Sequence, residues 1–233
     1  MDLVVYTSRN EQLVKPLFDR YTAETGVKIT YLTDKAPPLM ERLRAEGSRS
    51  PADVFITVDA GNLWQATNLD LLQPVDSAVL QANIPENLRD PENRWFGLSV
   101  RARTMVHNPA VTPVSSLSSY EDLADPTWRG KLCLRTSASV YNQSLVATMI
   151  ARLGAEPTEQ IITGWVENLA APPFANDTAV IEAVAAGRCA VGIVNSYYLG
   201  RALRDDPDLP VTVFWANQGN EGAAADGTPA CRG

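Results

Sequence analysis

LVVYTSRNEQLVKPLFDRYTAETGVKITYL, residues 3–32, decides the architecture. Leu3 to Thr7 is a short apolar run that reads as a strand. Gln12 to Thr25 carries Leu13, Val14, Leu17, Phe18 and Tyr21 at helical spacing and stops at Gly26. Val27 to Leu32 reads as a second strand. Beyond it, Leu39 to Glu46 predicts a short helix, Asp53 to Val58 (DVFITV) a buried strand, and Asn62 to Asn68 another helix before a loop at Gln73-Pro74. The order βαβαβα implies a mostly parallel sheet with helices on both faces.

The rhythm then breaks. Residues 83–96 are rich in Pro, Asn and Asp, and WFGLSVRARTMVHNP runs on as a long extended stretch that reads as a crossing segment between lobes. From about residue 117 the αβ alternation resumes. Helices are predicted near 120–124, 142–153, 157–168, 177–186 and 197–205, with strands at 131–135, 189–194 and 211–215. A second lobe is the simplest account. After VTVFWANQGNEG the chain becomes AAADGTPACRG, small and turn-forming residues with no periodicity, and disorder is expected there.

The 233 residues are 45% hydrophobic and 20% charged, which is a globular composition long enough for one large domain or two small lobes. A formal charge of −7 argues against nucleic acid or an anionic membrane surface as the main partner, because both attract basic patches. No apolar run approaches the roughly 20 residues that span a bilayer. The opening MDLVVYTSRN lacks the basic and long apolar regions of a signal peptide, which fits a cytosolic start or a mature secreted chain without its leader. Cys133, Cys189 and Cys231 match no metal knuckle or CxxC motif. Cys133 and Cys189 each open a short buried strand. A disulfide between them and a pair of buried thiols used as small apolar residues both fit that placement.

Enzyme constellations are missing. His107 is the one histidine, which leaves no multi-His metal site and little scope for a Ser-His triad. Its plain reading is a polar residue near the end of the crossing strand. No GxSxG, P-loop or GxGxxG occurs, and Asp53 and Asp59 have no partner spacing that suggests a glycosidase.

The tyrosines offer more. Asn195-Ser196-Tyr197-Tyr198 follows a buried strand and precedes a helical stretch, so Ser196 reads as an N-cap with both tyrosines in the first turn. In a helical turn neighbouring side chains diverge by only about 100°, so two phenols can address one ion. The helix N-terminus carries partial positive charge, which favours phenolate at a group that ordinarily ionises near about pH 10. Tyr141, at the end of TSASVY, stands at a matching strand-to-helix mouth. Such ends also hold anions through free backbone N–H groups, with Thr136, Ser137 and Ser139 adding hydroxyls and Arg9 and Arg101 adding charge. Phenolates with an anion, without thiol or imidazole, suit a hard trivalent ion. On pattern alone, an ordinary packed aromatic pair remains the stronger reading of Tyr197 and Tyr198.

The surrounding text shifts that balance. VVYTSRNEQLVKPLFDRYTAETGVKI, SPADVFITVDAGNLW, WFGLSVRAR, GKLCLRTSASVYNQSL and AVGIVNSYYLG resemble, in order and spacing, the periplasmic ferric-ion-binding proteins of bacterial iron ABC importers. The resemblance runs from residue 3 to about 222. It implies an α/β type II periplasmic-binding-protein fold of two lobes, each with a mostly parallel central sheet flanked by helices, joined by extended hinge strands. The expected boundaries are 1–100 for the N-terminal lobe, 101–210 for the C-terminal lobe, 211–222 for a return hinge strand and 223–233 for an aberrant tail. It implies Fe3+ held in the interlobe cleft by Tyr141, Tyr197 and Tyr198 and delivered to an iron ABC permease in the inner membrane, in a periplasmic setting. A synergistic carbonate, bicarbonate or similar anion would lie against Arg9, Arg101, Ser137 and Asn142. It also favours a Cys133–Cys189 disulfide.

The departures are specific. Relatives carry a histidine or a His-Tyr pair where this chain reads Asn10-Glu11, and others carry a glutamate where it has Val58 followed by Asp59. The chain resembles the subgroup in which the three tyrosines of the second lobe bind iron and an anion or water fills the remaining positions, with Glu11 a candidate extra ligand from the first lobe. The match dissolves near Ala223, in an ending of the kind a frameshift in GC-rich coding DNA often produces, so a C-terminally truncated product is expected, whose exposed sheet surface either the fold tolerates or oligomerisation covers. Two alternatives remain open: the same fold binding a small organic anion or phosphonate, and a non-functional fragment.

Overall fold

Strand β1 (Leu3–Thr7) lies at the centre of a three-stranded parallel sheet, between β2 (Ile29–Thr33) and β3 (Val54–Ile56). The computed structural model describes residues 2–217, and the chain divides into two compact units between Ser99 and Val100. Successive side chains of β1 point to opposite faces, so Val5 and Tyr6 need separate covers. Helix α1 (Glu11–Thr25) lays Val14 and Phe18 on Val5. Helix α2 (Ala36–Glu46) lays Leu39 and Leu43 on Tyr6. The Asn10 side chain caps α1 by accepting from the Gln12 N–H, and Gly26, at φ 73°, ends it by returning its N–H to the Thr22 carbonyl. Helix α3 (Ala60–Asn68) starts at Asp59, whose side chain accepts from the Gly61 N–H.

A helix not expected from the sequence, α4 (Ala78–Asn83), follows a Ser77 cap. It is six residues long and buries none of them, so it leaves no apolar period to read.

In the second unit the sheet order is β5-β6-β4-β7, with β4 at Arg103–His107, β5 at Leu132–Cys133, β6 at Val191–Asn195 and β7 at Thr212–Phe214. β5 and β6 run parallel, whereas β4 is antiparallel to both β6 and β7. The cause is the connections. β5, β6 and β7 are joined through helices and share one direction, while β4 is fed by an extended segment with no crossover helix. The sheet is therefore mixed. Only Leu132 and Cys133 of the expected 131–135 strand lie in the ladder with β6. The segment's other edge is held by single bridges from Leu132 to Leu169 and from Arg135 to Phe174.

Helices α5 (Val140–Leu153) and α6 (Ala155–Glu167) pack on one face of this sheet, where Met149 and Trp165 meet Met105 and Ile193. Helices α7 (Asp177–Ala185) and α8 (Ser196–Asp205) cover the other through Val180, Val184 and Leu199 against Val106 and Val194. Gly192 permits that approach: a Cβ there would stand 2.5 Å from Val180 Cγ1. Cys133 and Cys189 form a disulfide, buried in the same cluster, with Cα atoms 5.8 Å apart. The expected tail, 223–233, with Cys231, and the last part of the expected return strand lie outside the described residues.

Two of these placements have measurable consequences. The disulfide spans a sequence separation of 56, so a Cys133→Ala/Cys189→Ala variant should lose about 2–4 kcal/mol in denaturant unfolding, with its transition still cooperative. His107 is 1% exposed, its Nδ1 hydrogen-bonds the Thr112 carbonyl at 2.9 Å, and burial holds its pKa below the ordinary histidine value. It therefore resists protonation in the fold more than in the unfolded chain, so its contribution is complete above about pH 6.5 and is lost progressively as pH falls from there through the lower folded-state value. The fall in melting temperature from about pH 7.5 to 5.5 should be shallower in His107→Gln than in the parent.

Candidate metal centre

Two helix mouths create the site. Because β5 and β6 are parallel neighbours, the segments that leave their C-terminal ends emerge on the same edge of the sheet. The first leads through Ser139, the N-cap of α5, to Tyr141, and the second through Asn195 to Tyr197 and Tyr198 in the first turn of α8. The cap of α8 is Asn195, where Ser196 was expected. β6 continues through Asn195, and the Ser196 N–H donates to the Ala102 carbonyl at 2.9 Å, so Ser196 is already the first helical residue.

The three phenols meet. The rings of Tyr197 and Tyr198 stack with centroids 4.4 Å apart and planes at 30°. Tyr198 and Tyr141 both flank the Tyr197 side chain and act on its ionisation. Burial and the bond to Tyr197 push Tyr141 up to about 12, against the opposing charges of Arg101 and Arg135. Burial and Tyr197 likewise raise Tyr198. For Tyr197 burial acts upward too, but the hydrogen bonds from Tyr198 and Tyr141, with the charge of Arg101, outweigh it and lower its pKa. The three phenols therefore titrate as one coupled group, in which Tyr197 is the member shifted downward.

Cations line this cluster. Arg101 Nη1 donates to the Tyr141 hydroxyl at 3.4 Å, and its guanidinium carbon lies 5.2 Å from the Tyr141 ring centre. Arg135 lies 5.4 Å from the same ring, and Arg201 lies 5.7 Å from that of Tyr198. Several polar atoms here are buried without a hydrogen bond, among them Ser139 Oγ, Asn195 Nδ2 and Arg135 Nε. Unsatisfied donors of this kind beside guanidinium groups are the chemistry an oxygen-rich anion requires. Among the described residues no group of three or more His, Cys, Asp or Glu side chains is placed to hold a metal ion. The phenols are therefore the donor set to consider.

The expected anion residues separate. Arg101 is at the cluster. Ser137 is exposed, and its carbonyl accepts from Gln143 Nε2 at 3.2 Å. Asn142 is engaged by protein partners. Its Oδ1 accepts from Arg103 Nε and Nη2 at 3.0 and 2.6 Å, and its Nδ2 donates to the Arg135 and Thr136 carbonyls at 2.8 and 3.2 Å. Arg9 and Glu11 belong to the first unit. The Arg9 N–H donates to Thr7 Oγ1, and the Glu11 carboxylate accepts from the Tyr31 hydroxyl at 2.7 Å.

Sequence reasoning missed the layer below the phenols. Arg103 and Asp177 form a buried ion pair at 3.1 Å, and Arg135 approaches the same carboxylate at 3.7 Å. One signal was available: Arg101 and Arg103 alternate in an extended stretch and so share a strand face. Nothing in the sequence pairs Arg103 with an aspartate 74 residues away.

The chain is similar to several known proteins. Iron uptake protein A1 of Synechocystis sp. is 42% identical over 227 residues, which cover 95% of this chain and 63% of that protein. An Fe(3+)-binding periplasmic protein of Serratia marcescens is 32% identical over 84% of this chain and 57% of its own length. The chain thus spans less than two thirds of the length of these curated relatives. Among solved structures, Trichodesmium FutA in complex with iron and citrate superposes with a TM-score of 0.87 at 45% identity, covering 94% of this chain and 71% of that one. The ferric binding protein of Campylobacter jejuni gives 0.88 at 34% identity, over 94% and 72%. These likenesses establish the type II periplasmic-binding-protein fold. Residues 49–221 match the family described as bacterial extracellular solute-binding protein, and this chain belongs to that family.

Proposed function

We propose that this chain binds Fe3+ through Tyr141, Tyr197 and Tyr198, with a synergistic anion, and hands it to an ABC permease for import at the periplasmic face of the inner membrane. The observation that carries the reading is the gathering of Tyr141 with the stacked pair Tyr197 and Tyr198 at two helix mouths on one sheet edge, with Arg101 against Tyr141. Three phenolates balance the charge of a ferric ion, and hard anionic oxygen suits a hard cation. Binding of the ion drives off the phenol protons of the coupled cluster, because the ligating form of each tyrosine is the phenolate. Arg101 and Arg135 stabilise the anionic phenolate of Tyr141. No bond of the cargo is broken, so the role is binding and delivery rather than catalysis.

The anion in this reading is carbonate, bicarbonate or a carboxylate such as citrate. It lies against Arg101 and the unsatisfied donors of Ser139, Asn195 and Arg135. Arg9 and, as an extra carboxylate, Glu11 are what the first unit offers, although Tyr31 already engages Glu11. The iron and citrate of the Trichodesmium structure, and the names of the Synechocystis and Serratia relatives, support the choice of ion. The surplus of guanidinium groups favours one second reading, an organic anion bound without metal.

Titration with ferric citrate should produce a visible tyrosinate-to-iron absorption band. Tyr197→Phe should remove most of the band and weaken ferric binding about 100-fold or more, since loss even of a residue that only supports a ligand costs about 10–100-fold. A protein that stays colourless with ferric citrate, yet melts higher with citrate alone, would select the second reading. Loading releases phenol protons, so apparent affinity should fall with decreasing pH. The slope should approach three protons per ion, or about 1000-fold per pH unit, as read by competition with a chelator of known protonation.

A further inference from the structure

We propose that Arg103 is the residue that positions the three tyrosines, joining the first turns of α5 and α8 through a single buried guanidinium. The inference rests on the ferric reading of the tyrosines and assigns a residue that the donor set does not include.

Arg103 lies at the first position of β4, directly opposite Asn195 in the antiparallel ladder with β6. Its side chain is 8% exposed, and each of its N–H groups finds a protein oxygen. Nε donates to Asn142 Oδ1 at 3.0 Å. Nη1 donates to Asp177 Oδ2 and to Asn195 Oδ1, both at 3.1 Å. Nη2 donates to Asn142 Oδ1 at 2.6 Å and to the Ile193 carbonyl at 3.1 Å. These contacts use the full donor set of a guanidinium fork, which a lysine ammonium cannot reproduce from one point.

Two of these partners stand close to tyrosines along the chain. Asn142 is the neighbour of Tyr141, and its own amide reaches back to the Arg135 and Thr136 carbonyls, tying the turn that enters α5. Asn195 precedes Tyr197 by two residues, and its backbone N–H donates to Asp177 Oδ2 at 3.0 Å. Asp177, in the first turn of α7, is fully buried and accepts from both Arg103 and Asn195. One cation and one carboxylate therefore set the distance between two helix mouths that no regular backbone ladder joins directly. A metal site needs its donors held to a fraction of an ångström by such supporting groups.

The test compares the parent with Arg103→Lys, which keeps the charge beside Asp177 but loses the fork, using ferric citrate as the probe. Arg152→Lys, at an exposed position on α5, serves as a control that should behave as the parent. Arg103→Lys should unfold cooperatively while its visible ferric band shifts and its ferric affinity falls about 10–100-fold. Amide hydrogen exchange without metal should speed up in residues 140–143 and 196–199 and stay unchanged in α6. A parent-like band and affinity in a folded Arg103→Lys protein overturn the proposal. If Arg103→Lys does not fold, Asn142→Ala retains the ion pair. It should loosen exchange at the start of α5 alone and weaken the band, and unchanged exchange there overturns the proposal. If the parent itself stays colourless, the ferric reading fails, and the exchange comparison alone decides whether Arg103 holds the two turns.

Discussion

The parallel pairing of β5 with β6 is the constraint on which the rest depends. It is a short ladder, Leu132 to Val191 and Cys133 to Gly192, but it sends two strand ends to the same edge of one sheet. With antiparallel pairing the two exits would lie at opposite ends, and Tyr141 could not reach Tyr197. Three features reinforce this ladder. The Cys133–Cys189 disulfide cross-links its start, Gly192 lets α7 press down on it, and the Arg103–Asp177 pair locks its exit. A buried ion pair of this kind is weak support for stability, since desolvation offsets much of the attraction, but removal of one partner leaves a buried charge. Its value here is geometric.

The electrostatics of the cluster stem from that convergence. Phenols resist ionisation when buried, and Tyr141 and Tyr198 show that resistance. Tyr197 is shifted the other way, because Tyr198, Tyr141 and Asn195, with the charge of Arg101, together outweigh its burial. In the proposed ferric reading, loading replaces phenol protons with metal and is therefore tied to proton release.

Much of this was legible in the residues. The apolar periods of residues 3–32 placed the first three elements within one or two residues of where they lie, because strand and helix there are amphipathic in the ordinary way. Tyr141, Tyr197 and Tyr198 were legible as residues at two helix mouths, and the family motifs around them joined the two. What stayed hidden has physical causes. α4 buries no side chain, so it has no pattern. β5 is two residues long and takes its other edge from isolated bridges, which a local window cannot see. Ser196 reads as a cap because serine favours that position, yet β6 runs through Asn195, which takes the cap, and Ser196, its N–H bonded to the Ala102 carbonyl, opens α8. Asn142 reads as a free polar group, and its partners come from Arg103 and two carbonyls that only the fold brings near.

The most direct test of the central claim is resonance Raman spectroscopy of the ferric-loaded protein, excited within its visible band. Enhanced tyrosinate ring modes that weaken in Tyr197→Phe are the expected result. A ferric-loaded protein whose spectrum shows no tyrosinate modes, or one that is unchanged by Tyr197→Phe, would contradict the account.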